Sequence, residues 1–286
     1  MIKLLALDLD GTLLDSQGEL STENISAIRA AENLGVLVTI ATGRRFRDAR
    51  PPAMALGLNA PLVTHNGALV KYADSLETLA KTLLDTDISL EIVRVGKKLG
   101  GNALVSADPT GKGSLLYDTV SEENIPLLRY LEWSERLHGA EASQAILNVK
   151  DLETALKDHE VIHISFSGAC APMRKMLEFL RLELSDSVSI LPTIYPHLDF
   201  TLIDILPPAT SKATGIAAIA EAAGLGPENV MAIGDNFNDL AMLEYAGTPV
   251  VMGNADPDLL VRPEFYKTFT NNENGVAAAI RKFILD

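Results

Sequence analysis

From Ile2 to Leu9 the chain is apolar almost without interruption, and it runs out into Asp8-Leu9-Asp10-Gly11-Thr12. Such a run predicts a strand buried on both faces, as in a parallel sheet, rather than one alternating between core and water. In open α/β sheets ligands gather beyond the carboxyl ends of the strands, where Asp8 and Asp10 fall. Side chains two apart share a face along a strand, so both carboxylates are predicted to look toward one site. Gly11 lets the backbone turn sharply after them. Acids beside a glycine are also ordinary turn residues. The pentapeptide alone therefore leaves phosphate chemistry and a plain strand end as equal alternatives.

The pattern that follows repeats strand and helix. Ser21 is a good N-cap with Glu23 in the first turn, Ile25, Ile28 and Leu34 form a rough helical stripe, and Gly35 stops it. Val36 to Ala41 is a second β-rich run ending in Thr42-Gly43-Arg44, and a helix toward Leu58 is expected to start or kink at Pro51-Pro52. Leu62-Val63-Thr64 is a third run, closed by the Asn66-Gly67 turn. From about Asp85 to Pro196 this rhythm is lost, which predicts an inserted α+β domain over 85–196. It resumes with a strand at Phe200 to Leu206, an Ala-rich helix opened by Ser211-Lys212, and a strand at Val230 to Ile233. That strand leads into Gly234-Asp235-Asn236-Phe237-Asn238-Asp239, and the last helix begins near Gly275. The predicted class is α/β, a doubly wound, mostly parallel Rossmann-like core of 1–84 and 197–286 carrying the insertion.

A chain of 286 residues, 47% of them hydrophobic, has ample material for packed cores. Its net charge of −14 argues against nucleic-acid or anionic-membrane partners, and it means that any phosphate site must be positive locally. The single cysteine, Cys170, excludes an internal disulfide and fits a reducing, cytoplasmic setting. It reads as a small structural residue rather than a catalytic thiol. Neither a signal peptide nor an apolar stretch of bilayer length is expected.

Four strand or helix ends carry complementary chemistry: Asp8 with Asp10, Thr42, Lys212, and Asp235 with Asn238 and Asp239. Carboxylates gathered this way repel one another unless a cation intervenes, and all-oxygen ligands favour Mg²⁺ over zinc. A lysine and a hydroxyl suit the remaining oxygens of a phosphoryl group, while the absence of GxxxxGK[ST] disfavours P-loop nucleotide chemistry. Each element has a plain alternative: Thr42 as a loop cap, Lys212 as a solvated helix-start lysine, Asn236 and Asp239 as a turn residue and a helix acid. All of these would have to hold together at four ends in succession.

With these motifs in order, the chain resembles the haloacid dehalogenase superfamily of phosphatases, in its Cof-type branch with a class IIB cap. Asp8-Leu9-Asp10-Gly11-Thr12, Ala41-Thr42-Gly43-Arg44, Ser211-Lys212 and Gly234 to Asp239 carry the resemblance, and Asn66-Gly67-Ala68 and Met252-Gly253-Asn254-Ala255 are similar to secondary signatures. Ala213, where the family often has Gly, and Pro207-Pro208 depart from the pattern without removing a reactive group. The resemblance implies Asp8 as the nucleophile that forms an aspartyl-phosphate, with Asp10 as acid and then base. It implies Mg²⁺ held by Asp8, the Asp10 backbone carbonyl and Asp235, with Asp239 bracing that site. Leu9 and Gly43 amides, Thr42, Lys212 and Asn238 would hold the phosphoryl oxygens. The insertion would be a cap that closes over the site and selects the leaving group. His65 is a candidate pocket residue, whereas His163, in an apolar strand, is expected to be packed and hydrogen-bonded.

The implied partner is a small phosphorylated metabolite, a sugar phosphate first of all. A phosphomutase of the same fold is the nearest rival. A non-enzymatic phospho-acceptor domain fits less well, because its phosphorylated Asp ends a later strand than the acidic pair. Physiological substrate and oligomeric state stay open at this level.

Overall fold

The computed structural model describes residues 1–286, the side chain of His197 excepted. The chain forms two compact units. One comprises Met1–Arg44, Ala49–Ala80 and Ser211–Asp286, the other Lys81–Thr210 with the short segment Arg45–Asp48.

The first unit is built on a parallel sheet with strand order Tyr266–Lys267, Thr248–Val251, Val230–Gly234, Leu4–Leu7, Leu37–Ile40. Leu4–Leu7 is buried throughout and has a parallel neighbour on each side, as its unbroken apolar run predicts. Leu7 stands beside both Ile233 and Ile40, so the three strands end within a residue of one another. Asp8, Thr42 and Asp235, one or two residues further on, therefore leave the sheet at one edge. Ala41 also bridges Val63 in parallel, and the strand Leu62–Thr64 turns back through His65–Gly67 into Leu69–Lys71.

Two helices show how local sequence sets this frame. Ser21 accepts a hydrogen bond from the Asn24 amide and opens Thr22–Asn33 as expected. Ser211 and Thr214 exchange hydrogen bonds in a capping box that starts Lys212–Ala222. Ile216, Ile219 and Ala220 of that helix pack with Leu4, Ala6, Val63 and Val230, each large side chain stabilising the fold by about 1.5–3 kcal/mol. The helix after Thr42 runs Phe46–Leu56 with Pro51 and Pro52 inside it rather than at its start. The ring nitrogens cannot donate, so only the bonds that Arg47 and Asp48 carbonyls would accept are forfeited.

The second unit contains a six-stranded sheet ordered Ser189–Tyr195, Phe200–Leu206, Val161–Gly168, Asn102–Ala107, Ser114–Tyr117, Ile146–Asn148. All neighbours are antiparallel except the last pair. Ala103, Val105, Ile164, Phe166, Ile203 and Ile205 point to the face covered by helices Thr86–Lys98 and Cys170–Leu184. Leu104, Leu115 and Ile146 point the other way and meet Leu127 and Leu131 of the helix Ile125–His138. Phe200–Leu206, expected with the resumed α/β alternation, pairs instead with Val161–Gly168. The compact units accordingly change over at 80/81 and 210/211, not at 84/85 and 196/197. A buried central strand reads as an apolar run in either kind of sheet. His163 is packed as expected, its Nε2 3.0 Å from Ser165 Oγ, and Cys170 is a half-buried free thiol. Among the described residues no helix is long and apolar enough to cross a membrane.

Candidate active site

Lys212 lies at the centre of the first unit's polar edge. It occupies the first turn of its helix, is fully buried, and its Nζ donates to Asp8 Oδ1 at 2.5 Å and to Asp239 Oδ1 at 2.6 Å. A cation at a helix N-terminus opposes the helix dipole; the two carboxylates are what hold it there. Burial alone would lower the Lys212 pKa, yet Asp239 and Asp8 carry it upward, so it stays charged.

Asp8, Asp235 and Asp239 each bring a carboxylate oxygen within 4.8 Å of the others. Asp239 is committed on both oxygens, because Oδ2 also accepts the amides of Asp235 at 2.9 Å and Asn236 at 3.0 Å. It therefore shapes the loop that presents Asp235. Asp235 Oδ1 accepts from Thr12 Oγ1 at 2.9 Å. Burial first, and the Asp239 charge second, push the Asp8 carboxyl well above its ordinary range despite the pull of Lys212. The same two causes raise Asp235 to about 6. One lysine is thus too little positive charge for these acids, and a further cation would be welcome. Hard carboxylate oxygens are the donor set that Mg²⁺ takes, so the residues present fit that ion.

Close approach is bought with glycine at two points. Gly11 has φ +80°, and a Cβ there would stand 2.5 Å from Asp235 Oδ2. Gly67 has φ +101°, and its Cβ would fall 1.9 Å from the Ser211 carbonyl oxygen. The first lets the Asp8 loop reach Asp235, and the second seats the Asn66 turn on the start of the Lys212 helix. Ala213 disturbs nothing here; the glycine this helix requires is Gly215, whose Cβ would meet Val63 at 2.4 Å.

The remaining sequence candidates divide. Thr42 is buried, with its Oγ1 accepting the Arg44 amide at 3.1 Å and its carbonyl accepting the Asn66 amide at 3.0 Å. Gly43 lies against the Asn66 side chain, to which Asn238 Nδ2 reaches at 3.5 Å. Leu9 follows Asp8 with its side chain in the core, and His65 is likewise buried. Asp10 differs from the expectation that it faces the same way as Asp8. The strand stops at Leu7, so strand alternation no longer applies two residues later. Asp8 is buried while the Asp10 side chain is 58% exposed, gripped by Arg44 through Nε at 2.8 Å and Nη2 at 2.6 Å. Arg44, Thr12 and Asn66 are site residues that sequence reasoning passed over. Their position inside the quoted motifs was the available signal.

Residues 5–280 match the family model of haloacid dehalogenase-like hydrolases. The 5-amino-6-(5-phospho-D-ribitylamino)uracil phosphatase YcsE of Bacillus subtilis is 32% identical, covering 99% of this chain and 96% of that protein. Pyridoxal phosphate phosphatase YbhA of Escherichia coli is 29% identical over 91% of each chain. The solved subclass IIB sugar phosphatase BT4131 superposes with a TM-score of 0.75 at 21% identity, covering 98% of both chains, and shares the fold. The chain belongs to the haloacid dehalogenase-like hydrolase family. It is an enzyme of that family's phosphatase type, a hydrolase of phosphoric monoesters.

Proposed function

We propose that this chain is a Mg²⁺-dependent, cytoplasmic phosphatase of small phosphorylated metabolites that works through a phosphoryl group carried on Asp8. The observation behind it is the buried Asp8–Lys212–Asp239 arrangement beside Asp235, in which acids outnumber cations at the ends of parallel strands. Mg²⁺, held by the Asp8 and Asp235 carboxylates and the Asp10 carbonyl, would neutralise charge on the transferring group.

Asp8 attacks phosphorus while the bond to the leaving oxygen breaks, and Asp10 gives that oxygen a proton. Asp10 then takes a proton from the water that attacks phosphorus, which releases phosphate and restores Asp8. Lys212, already fixed by two carboxylates, stabilises the charge on the phosphoryl oxygens without moving. Thr42, Asn238 and the amides of Leu9 and Gly43 orient the same oxygens. The insertion serves as the cap and chooses the leaving group, with compact sugar phosphates as the first class to try. The relatives named above, acting on a phosphoribityl compound and on pyridoxal phosphate, share only a small phosphomonoester.

The test is phosphate release from sugar, polyol and cofactor monophosphates without a bisphosphate activator. Activity should vanish with EDTA, return with Mg²⁺, and return poorly with Ca²⁺, whose longer and more numerous bonds would engage both oxygens of Asp8. Full turnover after exhaustive chelation would refute the metal-dependent mechanism, and a strict need for a bisphosphate would point to a phosphomutase.

A further inference from the structure

Arg44 grips Asp10 with two donors, Nε and Nη2, from a side chain only 25% exposed, the bidentate geometry in which an ion pair does hold its partner. What fixes the backbone of Arg44 therefore bears on Asp10. On its amino side Arg44 is tied to Thr42 Oγ1 and on its carbonyl to the His65 amide. On its carboxyl side the chain passes directly into Arg45–Asp48, which is compact with the second unit.

That segment is anchored unusually firmly. Arg45 is buried and donates from Nε and Nη2 to the two oxygens of Asp48 at 2.8 and 2.9 Å. Its Nη2 also reaches Ser134 Oγ at 2.8 Å, and its Nη1 reaches the Ala145 carbonyl at 3.2 Å. Asp48 additionally accepts from Tyr130 OH at 3.1 Å and stands 2.8 Å from His138 Nε2. Tyr130, Ser134 and His138 recur every four residues on one helix, so a single face supplies all three. Despite the burial that would raise it, the His138 and Arg45 contacts hold Asp48 down at about 2, so the acid stays ionised and the cluster closed.

We propose that Tyr130, Ser134 and His138 of the insertion are positioning residues for Asp10, acting through Arg45–Asp48 and the peptide link to Arg44. The inference rests on the reading of Asp10 as the acid and base. It makes a cap helix a determinant of proton transfer as well as of leaving-group choice.

The test exploits leaving-group basicity. The steady-state kcat/KM reports formation of the phosphorylated Asp8, a step in which an alkyl oxygen needs a proton and 4-nitrophenolate does not. Ser134→Ala and Tyr130→Phe remove cluster bonds while leaving the Arg45–Asp48 pair intact. Each should lower kcat/KM for an alkyl phosphate about tenfold, a fraction of what general acid catalysis supplies, and change it less than about twofold for 4-nitrophenyl phosphate. Circular dichroism and melting curves check folding, and Asp10→Asn is run in parallel. Equal losses on both substrates, a gain on the alkyl one, or no change overturns the coupling. If Asp10→Asn itself fails to discriminate the substrates, the acid–base reading falls and the coupling with it. Discrimination by Asp10→Asn alone overturns only the coupling.

Discussion

Asp8 and Asp48 are both buried carboxylates beside a buried cation, yet their surroundings are opposite. Around Asp8, three acids share one lysine, and burial with like charge drives its pKa up. Around Asp48, one acid receives a bidentate arginine, a tyrosine hydroxyl and a histidine, and its pKa falls to about 2. The second cluster is complete as it stands. The first carries charge that only something from outside can balance, and that is the physical mark of a site built to receive a ligand.

The largest expected effect separates the two by function. Asp8→Asn should abolish turnover, by more than about 10⁴-fold as for other lost nucleophiles, while leaving the melting temperature unchanged or higher because like-charge repulsion is relieved. Asp48→Ala should act first on stability, costing about 3 kcal/mol by stranding the Arg45 charge, and should reduce turnover only in part, through the positioning of Asp10. The sign of the pH dependence follows. Asp48 sits below its unfolded value of 3.8, so its contribution is present above pH 4 and is lost as pH falls toward about 2. Thermal melts of wild type and Asp48→Ala should therefore converge over that interval, and a constant gap would contradict the balanced-cluster account.

Lys212→Ala is the next effect in size. It removes fixed charge from the phosphoryl oxygens, a barrier increase of about 3–4 kcal/mol, and because every substrate carries the same phosphoryl group the ranking of substrates should survive. Exchanging 81–210 for a relative's insertion should reorder the ranking instead. A ranked profile that shuffles with Lys212→Ala but not with the exchange would reverse the division of labour between the two units.

The sequence made the parallel frame legible because Leu4 to Leu7 and Val230 to Ile233 are continuous apolar runs ended by polar turns. It also picked out Asp8, Lys212, Asp235 and Asp239, which do converge. Asp10 was picked out as well, but its orientation was not legible, because it depends on where the strand stops. Phe200–Leu206 was assigned to the wrong neighbours because hydrophobicity records burial, not partners. The Asp48 cluster was invisible for another reason. Tyr130, Ser134 and His138 form a polar stripe that on any isolated helix reads as a solvated face, and only its tertiary partner Arg45 turns it inward.

The smallest effect sharpens the comparison most directly, because it asks whether the uncompensated charge is what attracts the cation. Asp235 is raised to about 6 and Asp8 is raised as well, so both must release protons before Mg²⁺ can be held by two carboxylates. For Asp235, whose folded pKa lies above its unfolded one, the metal-free protein has this group's full stability below pH 4 and loses it as pH rises through about 6. Mg²⁺ binding restores what is lost, and more so the further the acids are ionised. The Mg²⁺-induced stabilisation, read from the rise in melting temperature, should therefore be small at pH 5.5 and larger at pH 7.5, approaching about 3 kcal/mol when the ion stands at 100 times its dissociation constant. Asp235→Asn should flatten this pH dependence, while Ser134→Ala, in the balanced cluster, should leave it as it is. Equal Mg²⁺ stabilisation at both pH values would mean that the strand-end acids are not the groups that hold the ion.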